Sequence, residues 1–311
     1  MPDNETRPIL ITGAHRSGTT WVGKMLAASG EAVYISEPLN LWHRPGILRA
    51  PVNHWYTYIC EQNQDDYLPA FQETLRLQYH VLDDIKSFRR LKDLPHMLQD
   101  SSSFFLGRMQ GKCPLLKDPF AVFSAPWFEK ALGCQVVIIV RHPAAIASSL
   151  KRLDWSFDFE HLLAQPLLMN DLLEPYYDDM QAMTKNPQDI IGQSGLLWRI
   201  IYQVVAQYES KYPQFQVVRH EDLSLDPIDI FRSLYNSLGL SFSAHVKQVI
   251  LKSSSQDNPG ERADRSIYAT HLNSQANLNN WKRRLDPAEI TRLRSLTKDT
   301  AGIYYSEESW Q

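Results

Sequence analysis

Short apolar runs recur along the chain between longer stretches in which apolar and polar positions alternate with helical spacing. The clearest run is 135–140, and others lie at 8–12, 32–35, 114–116 and 216–218. Runs of this length are typical of parallel strands that are buried on both faces. Strands that alternate with helices predict an α/β fold, with a central parallel sheet and helices on both of its faces.

Two longer stretches interrupt this alternation. Residues 47–110 are mainly polar with helical spacing and carry many aromatic side chains, which predicts a helical insertion or lid. The stretch 154–192 is a second variable region, rich in acidic and aromatic residues. Ordinary packing and solvated surface are the alternative interpretation of both. We expect one domain, 1–311, that carries both stretches within it.

The composition excludes several classes of protein. The chain has 43% hydrophobic residues and a formal net charge of −3. A chain with this net charge lacks the basic field of a nucleic-acid-binding protein. No run reaches the roughly 18 apolar residues of a transmembrane helix, and the N-terminus lacks a signal-peptide pattern. The three cysteines share no metal-binding or redox spacing. We therefore expect a cytoplasmic protein that binds no nucleic acid and does not span a membrane.

A glycine-rich loop, Gly13–Gly18, follows the first apolar run and precedes a predicted helix. It resembles a P-loop, in which glycines let backbone N–H groups surround an anion at a helix N-terminus. The ATP- and GTP-binding version carries lysine where this chain has Thr19, although Arg16 restores a positive charge inside the loop. The loop predicts a compact anion site that is poorly equipped for metal-assisted phosphoryl transfer. A tight turn without a ligand is the alternative.

Polar groups follow four of the predicted strands, after Thr12, Ile35, Leu116 and Val140. The carboxyl ends of parallel strands meet at one edge of a sheet, and α/β proteins bind their ligands there. The sequence therefore predicts a single site at this edge.

Three segments together resemble the sulfotransferase family. Arg16–Trp21 is similar to the loop that binds the 5′-phosphosulfate of the donor, 3′-phosphoadenosine 5′-phosphosulfate (PAPS). Arg141 and Ser149 match the pair that holds the donor's 3′-phosphate, and the planar fork of arginine suits a phosphate. Lys117–Phe120 resembles a segment of the tyrosylprotein and related Golgi-type branches. The matches span roughly residues 8–281 and imply a P-loop-like three-layer fold.

The resemblance also implies which residues hold the donor. They are His15, Arg16, Ser17, Gly18, Thr19, Thr20, Trp21, Arg141 and Ser149. Tyr208 is a further candidate for lining the nucleotide, with a core tyrosine as the alternative, and Ser148 is either a partner of Ser149 or a helix-surface residue. Donor contact is also expected from residues 265–282. PAPS as donor, PAP as product and no metal requirement follow from the same resemblance.

Glu37 is the candidate general base, because it follows the second strand beside the loop and matches the catalytic glutamate of the tyrosylprotein branch. A positioned base contributes about 10²- to 10⁴-fold to a rate. A turn-capping or salt-bridged carboxylate is the alternative. Arg16 is expected to hold the phosphate and sulfonate, and Lys117 either contacts those groups or pairs with a nearby acid. Three histidines are alternative bases: His43, His54 and His80.

These features predict a sulfotransferase that moves a sulfuryl group from PAPS, by in-line displacement, to a hydroxyl or amine of an acceptor. We expect the acceptor to be an intracellular small molecule, lipid or sugar, bound between the 47–110 and 154–192 stretches. A P-loop kinase is one alternative, disfavoured by Thr19. A non-catalytic nucleotide-binding protein of the same fold is the other. The identity of the acceptor and the oligomeric state stay open.

Overall fold

A parallel sheet lies at the centre of the computed structural model, which describes residues 7–87, 93–255, 257–259 and 273–311. Within these ranges the sheet has five strands in the spatial order β2-β3-β1-β4-β5, and every neighbouring pair is parallel. The strands are β1 Ile9–Gly13, β2 Ala32–Ser36, β3 Cys113–Lys117, β4 Gln135–Val140 and β5 Gln216–Arg219. The predicted α/β fold with a central parallel sheet is confirmed.

The register of the central strand explains why Ile9–Ile11 are all apolar. Leu10 of β1 pairs with Leu116 on one side and with Val136 on the other. Side chains alternate across a strand, so Leu10 enters one hydrophobic core and its neighbour Ile11 enters the core on the opposite face. Both side chains are fully buried. A strand covered on both faces has no solvent-facing position for a polar residue.

Helices cover both faces of the sheet. Those before β4 are α1 Thr19–Ala27, α2 Leu68–Leu75, α3 Val81–Lys86, α4 Asp93–Met109 and α5 Ala125–Leu132. Between β4 and β5 lie α6 Pro143–Leu153, α7 Glu160–Leu163, α8 Pro166–Leu168, α9 Tyr177–Thr184 and α10 Ile190–Lys211. The last are α11 His220–Leu225, α12 Pro227–Ser237, α13 Ala244–Ser254, α14 Ser274–Leu278, α15 Trp281–Arg284 and α16 Pro287–Tyr304. Short turns complete the structure: 3-10 turns at Gln64–Asp66, Pro119–Ser124, Glu174–Tyr176 and Glu307–Trp310, and a π turn at Met169–Leu173.

The two stretches that interrupt the sequence pattern are helical where they are described. Residues 47–110 carry α2, α3 and α4 between β2 and β3, and 88–92 lie outside the described residues. Residues 154–192 carry α7, α8 and α9 and the start of α10. In the described part of the chain, no helix combines the length and the apolar character needed to cross a membrane.

All five strands point the same way, so their carboxyl ends lie along one edge of the sheet. The last residues of the strands are Gly13, Ser36, Lys117, Val140 and Arg219. The polar segments singled out from the sequence leave the sheet at this edge, as the strand pattern predicted.

Candidate active site

The loop between β1 and α1 requires glycine at both ends. Gly13 adopts φ +142°, and a Cβ at this position would overlap the carbonyl oxygen of Ile139. Gly18 adopts φ +105°, and a Cβ there would lie 2.5 Å from Nδ1 of His220. Arg16, between them, also has a left-handed backbone, with φ 71°. The two glycines let the loop turn closely around the N-terminus of α1.

Two tyrosine hydroxyls hold this loop in place from other parts of the chain. The N–H of Ala14 donates to the Tyr202 hydroxyl at 3.3 Å. The N–H of His15 donates to the Tyr56 hydroxyl at 3.2 Å. The N–H groups of Thr19 and Thr20 begin α1 without a carbonyl partner in the helix, whereas those of Trp21 and Val22 donate to the Gly18 carbonyl. The two unpaired N–H groups make this end of the helix suited to an anion.

A cavity of 670 Å³ opens in front of the loop, within the usual range of about 300–1,000 Å³ for small-molecule sites. From the loop and α1 it is lined by His15, Arg16, Gly18, Thr19, Thr20 and Trp21. The rest of its lining is Glu37, Asn40, Trp42, Trp55, Pro119, Phe120, Arg141, Asp154–Phe157, His220, Ser224, Ser253, Ser274 and Asn277. We call this space the site cavity. It brings the predicted base and most of the predicted donor-binding residues together.

The two arginines predicted to bind the donor lie against each other. Nε of Arg16 donates to the Ser149 hydroxyl at 3.0 Å, which joins the loop to α6. Nη1 of Arg141 donates to the carbonyl of Arg16 at 3.0 Å. The carbonyl of Arg141 accepts from Nε1 of Trp198 at 2.8 Å, so the backbone of Arg141 is fixed as well. Residues 125 or more positions apart in the sequence thus form one cationic corner.

Two buried nitrogens that belong to cavity-lining residues have no hydrogen-bond partner among the residues that the structure describes. They are Nε of Arg141 and Nδ1 of His220. Burial lowers the pKa of Arg141, although the nearby Glu221 carboxylate acts in the opposite direction. Burial, together with the charge of Arg141, also holds the pKa of His220 well below its usual value. Buried polar atoms are normally paired, so this corner is suited to a polar ligand.

His220 is a site residue that the sequence analysis missed. It follows β5 at the same edge of the sheet, contacts Gly18 and lies edge-on to Trp21, with ring centroids 5.6 Å apart. The signal that singled out Arg141, a polar residue directly after a strand, is also present at His220. A polar residue directly after β5 therefore marks His220 in the sequence as it marks Arg141 after β4.

Glu37 has two partners for its carboxylate and an unusual backbone. Oε1 accepts from the ammonium group of Lys117, and Oε2 accepts from Nδ2 of Asn40 at 2.8 Å. Its φ of 50° is uncommon for a residue with a side chain, and such backbone strain tends to occur at functional sites. Its side chain is 20% exposed and lines the site cavity. Glu37 is therefore both salt-bridged and accessible from the cavity.

Lys117 lies in a different position from the one predicted for a phosphate contact. Its side chain is 0% exposed, lies beneath the Glu37 carboxylate and does not line the site cavity. The structure supports the alternative from the sequence, an ion pair with a nearby acid. Lys117 acts through Glu37 and is a positioning residue.

Asp118 ties the segment after Glu37 to the end of β3. Oδ2 of Asp118 accepts from the N–H of Leu39 at 2.5 Å, and Oδ1 accepts from the N–H of Phe120 at 3.0 Å. Burial raises the pKa of Asp118 to about 7, against the effect of the Leu39 hydrogen bond. The matched segment that contains Lys117 and Asp118 therefore fixes the position of Glu37.

The three alternative bases lie elsewhere. Nδ1 of His43 is 3.0 Å from the carbonyl of Asn40, and burial lowers the pKa of His43. The rings of His54 and His161 lie edge to face, 6.0 Å apart, and burial lowers the pKa of His54. His80 pairs with Glu73 at 3.2 Å. The structure places none of the three in the lining of the site cavity.

Tyr208 and Ser148 are buried away from the site cavity. The Tyr208 hydroxyl donates to the carbonyl of Phe123 at 2.7 Å in the hydrophobic core, so the structure does not bring it to the predicted nucleotide position. The Ser148 hydroxyl donates to the carbonyl of Ala145 within α6 at 3.1 Å. Both contacts are those of core residues.

The C-terminal segment reaches the cavity from the side of Trp21. Nε1 of Trp21 donates to the Ser253 hydroxyl at 3.1 Å, and Asn277 is part of the lining. Of the predicted donor-contact segment 265–282, residues 265–272 lie outside the described residues. Trp281 stacks on His142 with ring centroids 5.3 Å apart, so its ring supports the residue next to Arg141.

Carboxylates, histidines and cysteines near the cavity form no metal-binding group. Across the described ranges, no cluster of three or more such side chains has the arrangement of a metal site. Glu37 and Asp118 each have protein partners for both carboxylate oxygens.

A family model described as "Sulfotransferase family" matches residues 8–244, well over half of the chain. A mouse protein, carbohydrate sulfotransferase 5, is 21% identical over 340 residues, which cover 93% of this chain and 78% of the mouse protein. Among solved structures, the sulfotransferase domain of a Synechococcus olefin synthase is 18% identical with a TM-score of 0.49, over 98% of both chains. A mouse sulfotransferase complexed with PAP is 12% identical with a TM-score of 0.46, over 98% of this chain and 86% of that one.

Proposed function

We propose that this chain, which belongs to the sulfotransferase family and transfers a sulfuryl group, takes that group from PAPS and delivers it to a hydroxyl or amine of a small-molecule, lipid or sugar acceptor. One observation carries the proposal. The Glu37 carboxylate, held by a buried lysine, lines the same cavity as the phosphate-binding loop and Arg141.

The residues of the cationic corner fit a donor that carries phosphates at two ends. Arg16, Thr19 and Thr20 line the cavity at the N-terminus of α1, where a 5′-phosphosulfate binds favourably. The unpaired Nε of Arg141 offers a hydrogen bond to a 3′-phosphate, with the Arg16–Ser149 contact beside it. When bound, PAPS supplies the sulfuryl group and leaves as PAP.

Glu37 removes the proton from the acceptor hydroxyl or amine. A new bond then forms between the acceptor atom and sulfur, and the bond from sulfur to the bridging oxygen of the phosphate breaks. That oxygen keeps the electron pair, and the proton stays on Glu37 until it passes to solvent. Arg16 and the N-terminus of α1 stabilise the charge that develops on the phosphate side. Asn40 and Lys117 fix the direction in which the Glu37 carboxylate points.

The first test is transfer of labelled sulfur from PAPS to a mixed panel of acceptors in excess EDTA. We expect transfer to continue in EDTA, PAP to bind to the wild-type protein, and Glu37→Gln to lose about 10²- to 10⁴-fold in rate while PAP still binds. Turnover of Mg²⁺-ATP without transfer from PAPS would identify a kinase instead. Tight PAP binding with no transfer to any acceptor would identify a non-catalytic binding protein.

We also propose that residues 1–311 form one domain and that the protein is cytoplasmic. Strands from both ends of the range Ile9–Arg219 share the sheet, and α16 packs on α10, which supports a single domain. All three cysteines are described and free, as is usual in a reducing compartment. A single cooperative unfolding transition tests the first statement, and cell fractionation of a tagged protein tests the second.

A further inference from the structure

Helix α4 forms the wall of a second, polar cavity. This cavity, of 1490 Å³, lies beside β2 and shares Glu37, Asn40 and Trp42 with the site cavity. Gln99 and Ser103 of α4 belong to its lining. Trp42 lines both cavities and is 79% exposed, so it lies at the surface where they open. One side of α4 therefore faces a polar interior.

The side of α4 that is exposed to solvent is apolar. Leu94, Leu98, Phe105 and Met109 are between 43% and 72% exposed. Successive residues of an α-helix are about 100° apart, so these four lie within about 60° of one another and form a stripe about 22 Å long. A surface helix of a soluble protein normally points its polar residues to the solvent. α4 has the reverse arrangement.

Helix α3 packs against α4 and adds two more exposed apolar side chains. Leu82 and Ile85 are three positions apart, hence on one face of α3, and are 73% and 47% exposed. Most of the large apolar side chains that are exposed in the described ranges lie between residues 42 and 109. Apolar patches of this kind mark sites where a soluble protein binds another protein or a membrane. We call six residues the outer patch: Leu82, Ile85, Leu94, Leu98, Phe105 and Met109.

Cations without an ion-pair partner lie beside the outer patch. Arg108 is exposed and follows Phe105 by three positions, so the two side chains are neighbours on α4. Lys112 follows the end of α4. Across the described ranges neither cation makes an ion pair. Between residues 94 and 109 the acidic residue is Asp100, which pairs with Arg44 at 2.7 Å on the side of the second cavity.

α3 and the sequence that follows it add further positive charge. Lys86 is four positions after Leu82 on the same face of α3, and its side chain is 77% exposed, 3.8 Å from Asp83. Residues 88–92, which lie outside the described residues, have the sequence Phe-Arg-Arg-Leu-Lys. The whole chain has a net charge of −3, so this surplus of positive charge is local.

The charge beside the outer patch distinguishes between the partners that could cover it. In a twofold dimer the patch would meet the same patch of a second copy, and the cations of one copy would face those of the other. An anionic lipid bilayer offers an apolar interior and negative headgroups together, and each basic residue near such a surface contributes to binding. Tryptophan is also enriched at membrane interfaces, and Trp42 is exposed at the cavity mouth.

We propose that the outer patch docks the protein on the surface of an anionic lipid bilayer. Its apolar side chains enter the boundary between headgroups and acyl chains, and Arg108 and Lys112 contact the headgroup phosphates. The protein then lies on the membrane without crossing it. This inference goes beyond the proposed function and does not depend on the identity of the sulfuryl donor.

Flotation of the full-length wild-type protein with vesicles tests the proposal. One set of vesicles is phosphatidylcholine alone, and the other is equal parts of phosphatidylcholine and phosphatidylglycerol. We expect the protein to float with the anionic vesicles and to bind them about 10- to 30-fold more tightly than the neutral ones, because two unpaired cations each contribute about fivefold. Absence of binding to the anionic vesicles, or equal binding to both sets, would overturn the proposal.

A charged substitution locates the binding to the outer patch. Leu98→Glu should weaken binding to the anionic vesicles about 10- to 100-fold, because it removes an inserted apolar side chain and adds a negative charge. Leu251→Glu is the matched control, since this leucine is 46% exposed on α13, away from the patch, and its substitution should leave binding unchanged. Equal effects of the two substitutions would place the contact elsewhere and overturn the assignment.

Light scattering without lipid separates a membrane surface from a subunit interface. We expect Leu98→Glu to leave the molecular mass in solution unchanged. A wild-type dimer that Leu98→Glu converts to a monomer would show that a second copy covers the outer patch, and this result would overturn the proposal. Sulfuryl transfer is measured separately with a soluble acceptor, so loss of vesicle binding and failure of the proposed function are distinguishable.

Discussion

The ion pair between Glu37 and Lys117 gives the sharpest prediction about stability. Lys117 is 0% exposed and Glu37 is 20% exposed, so the lysine ammonium depends on Glu37 for its charge partner. Glu37→Gln leaves a buried cation without that partner, which typically costs about 3–5 kcal/mol. Lys117→Met removes the buried charge itself and replaces it with an apolar side chain of similar length, so its cost should be smaller. The double variant should be more stable than Glu37→Gln alone.

Urea unfolding of the wild type, both single variants and the double variant measures this coupling. We expect a coupling free energy of about 1–3 kcal/mol, with the free energy of unfolding partly recovered in the double variant and sulfuryl transfer still about 10²- to 10⁴-fold slower than in the wild type. Stability without activity would separate the structural role of Lys117 from the chemical role of Glu37. The matched control is the pair Glu61–Lys130, whose side chains are 65% and 73% exposed and which should show almost no coupling. Additive effects at Glu37 and Lys117 would refute the buried ion pair.

Three further predictions concern the cationic corner, the loop and pH. Arg141→Lys should weaken PAP binding about 10- to 100-fold, because lysine lacks the planar fork of arginine. Calorimetry measures the PAP affinity, with the surface variant Arg232→Lys as the control. An unchanged affinity would remove Arg141 from the site. Gly18→Ala should cost more than about 2 kcal/mol of stability, because the added Cβ overlaps His220 and the backbone is also left-handed. Gly30→Ala has the same left-handed backbone but open space around it, so it should cost only about 1–2 kcal/mol. Equal losses in urea unfolding would refute the close contact at Gly18. Burial lowers the pKa of His15 to about 4 and that of His142 to about 3, so the unfolded chain binds more protons below pH 6.5. The contribution of these two histidines to stability should therefore be full above pH 6.5 and fall as the pH drops from 6.5 towards 4, whereas Asp118, whose pKa burial raises to about 7, acts in the opposite direction over this range. His142→Phe should remove its share of the loss in urea titrations, and an unchanged pH dependence in this variant would contradict the assignment.

The sequence predicted the sheet and the loop because the local chemistry of each allows few alternatives. A parallel strand covered on both faces is almost entirely apolar, as Ile9–Ile11 and Val136–Val140 are. The loop needs glycine where its backbone turns left-handed, so Gly13 and Gly18 mark it directly. The sulfotransferase family predicted from the three motifs is confirmed.

Other features depend on contacts between distant parts of the chain. The partner of Lys117 is Glu37, 80 residues earlier, and only the pairing of β2 with β3 brings the two together. Tyr208 belongs to the core because its hydroxyl finds the Phe123 carbonyl, which no local pattern indicates. β5 is an edge strand that is only half-buried, so its pattern is weaker, and His220 after it was overlooked. Side-chain partners across the sheet are set by topology, and sequence spacing alone does not specify them.

The central claim is tested most directly by single-turnover transfer of labelled sulfur from PAPS to an acceptor panel in EDTA. The wild type and Glu37→Gln are measured in parallel. The account predicts label on an acceptor with the wild type, and with Glu37→Gln it predicts PAP binding and a transfer rate about 10²- to 10⁴-fold lower. Label that stays on PAPS with the wild type, or transfer by Glu37→Gln at the wild-type rate, would contradict it.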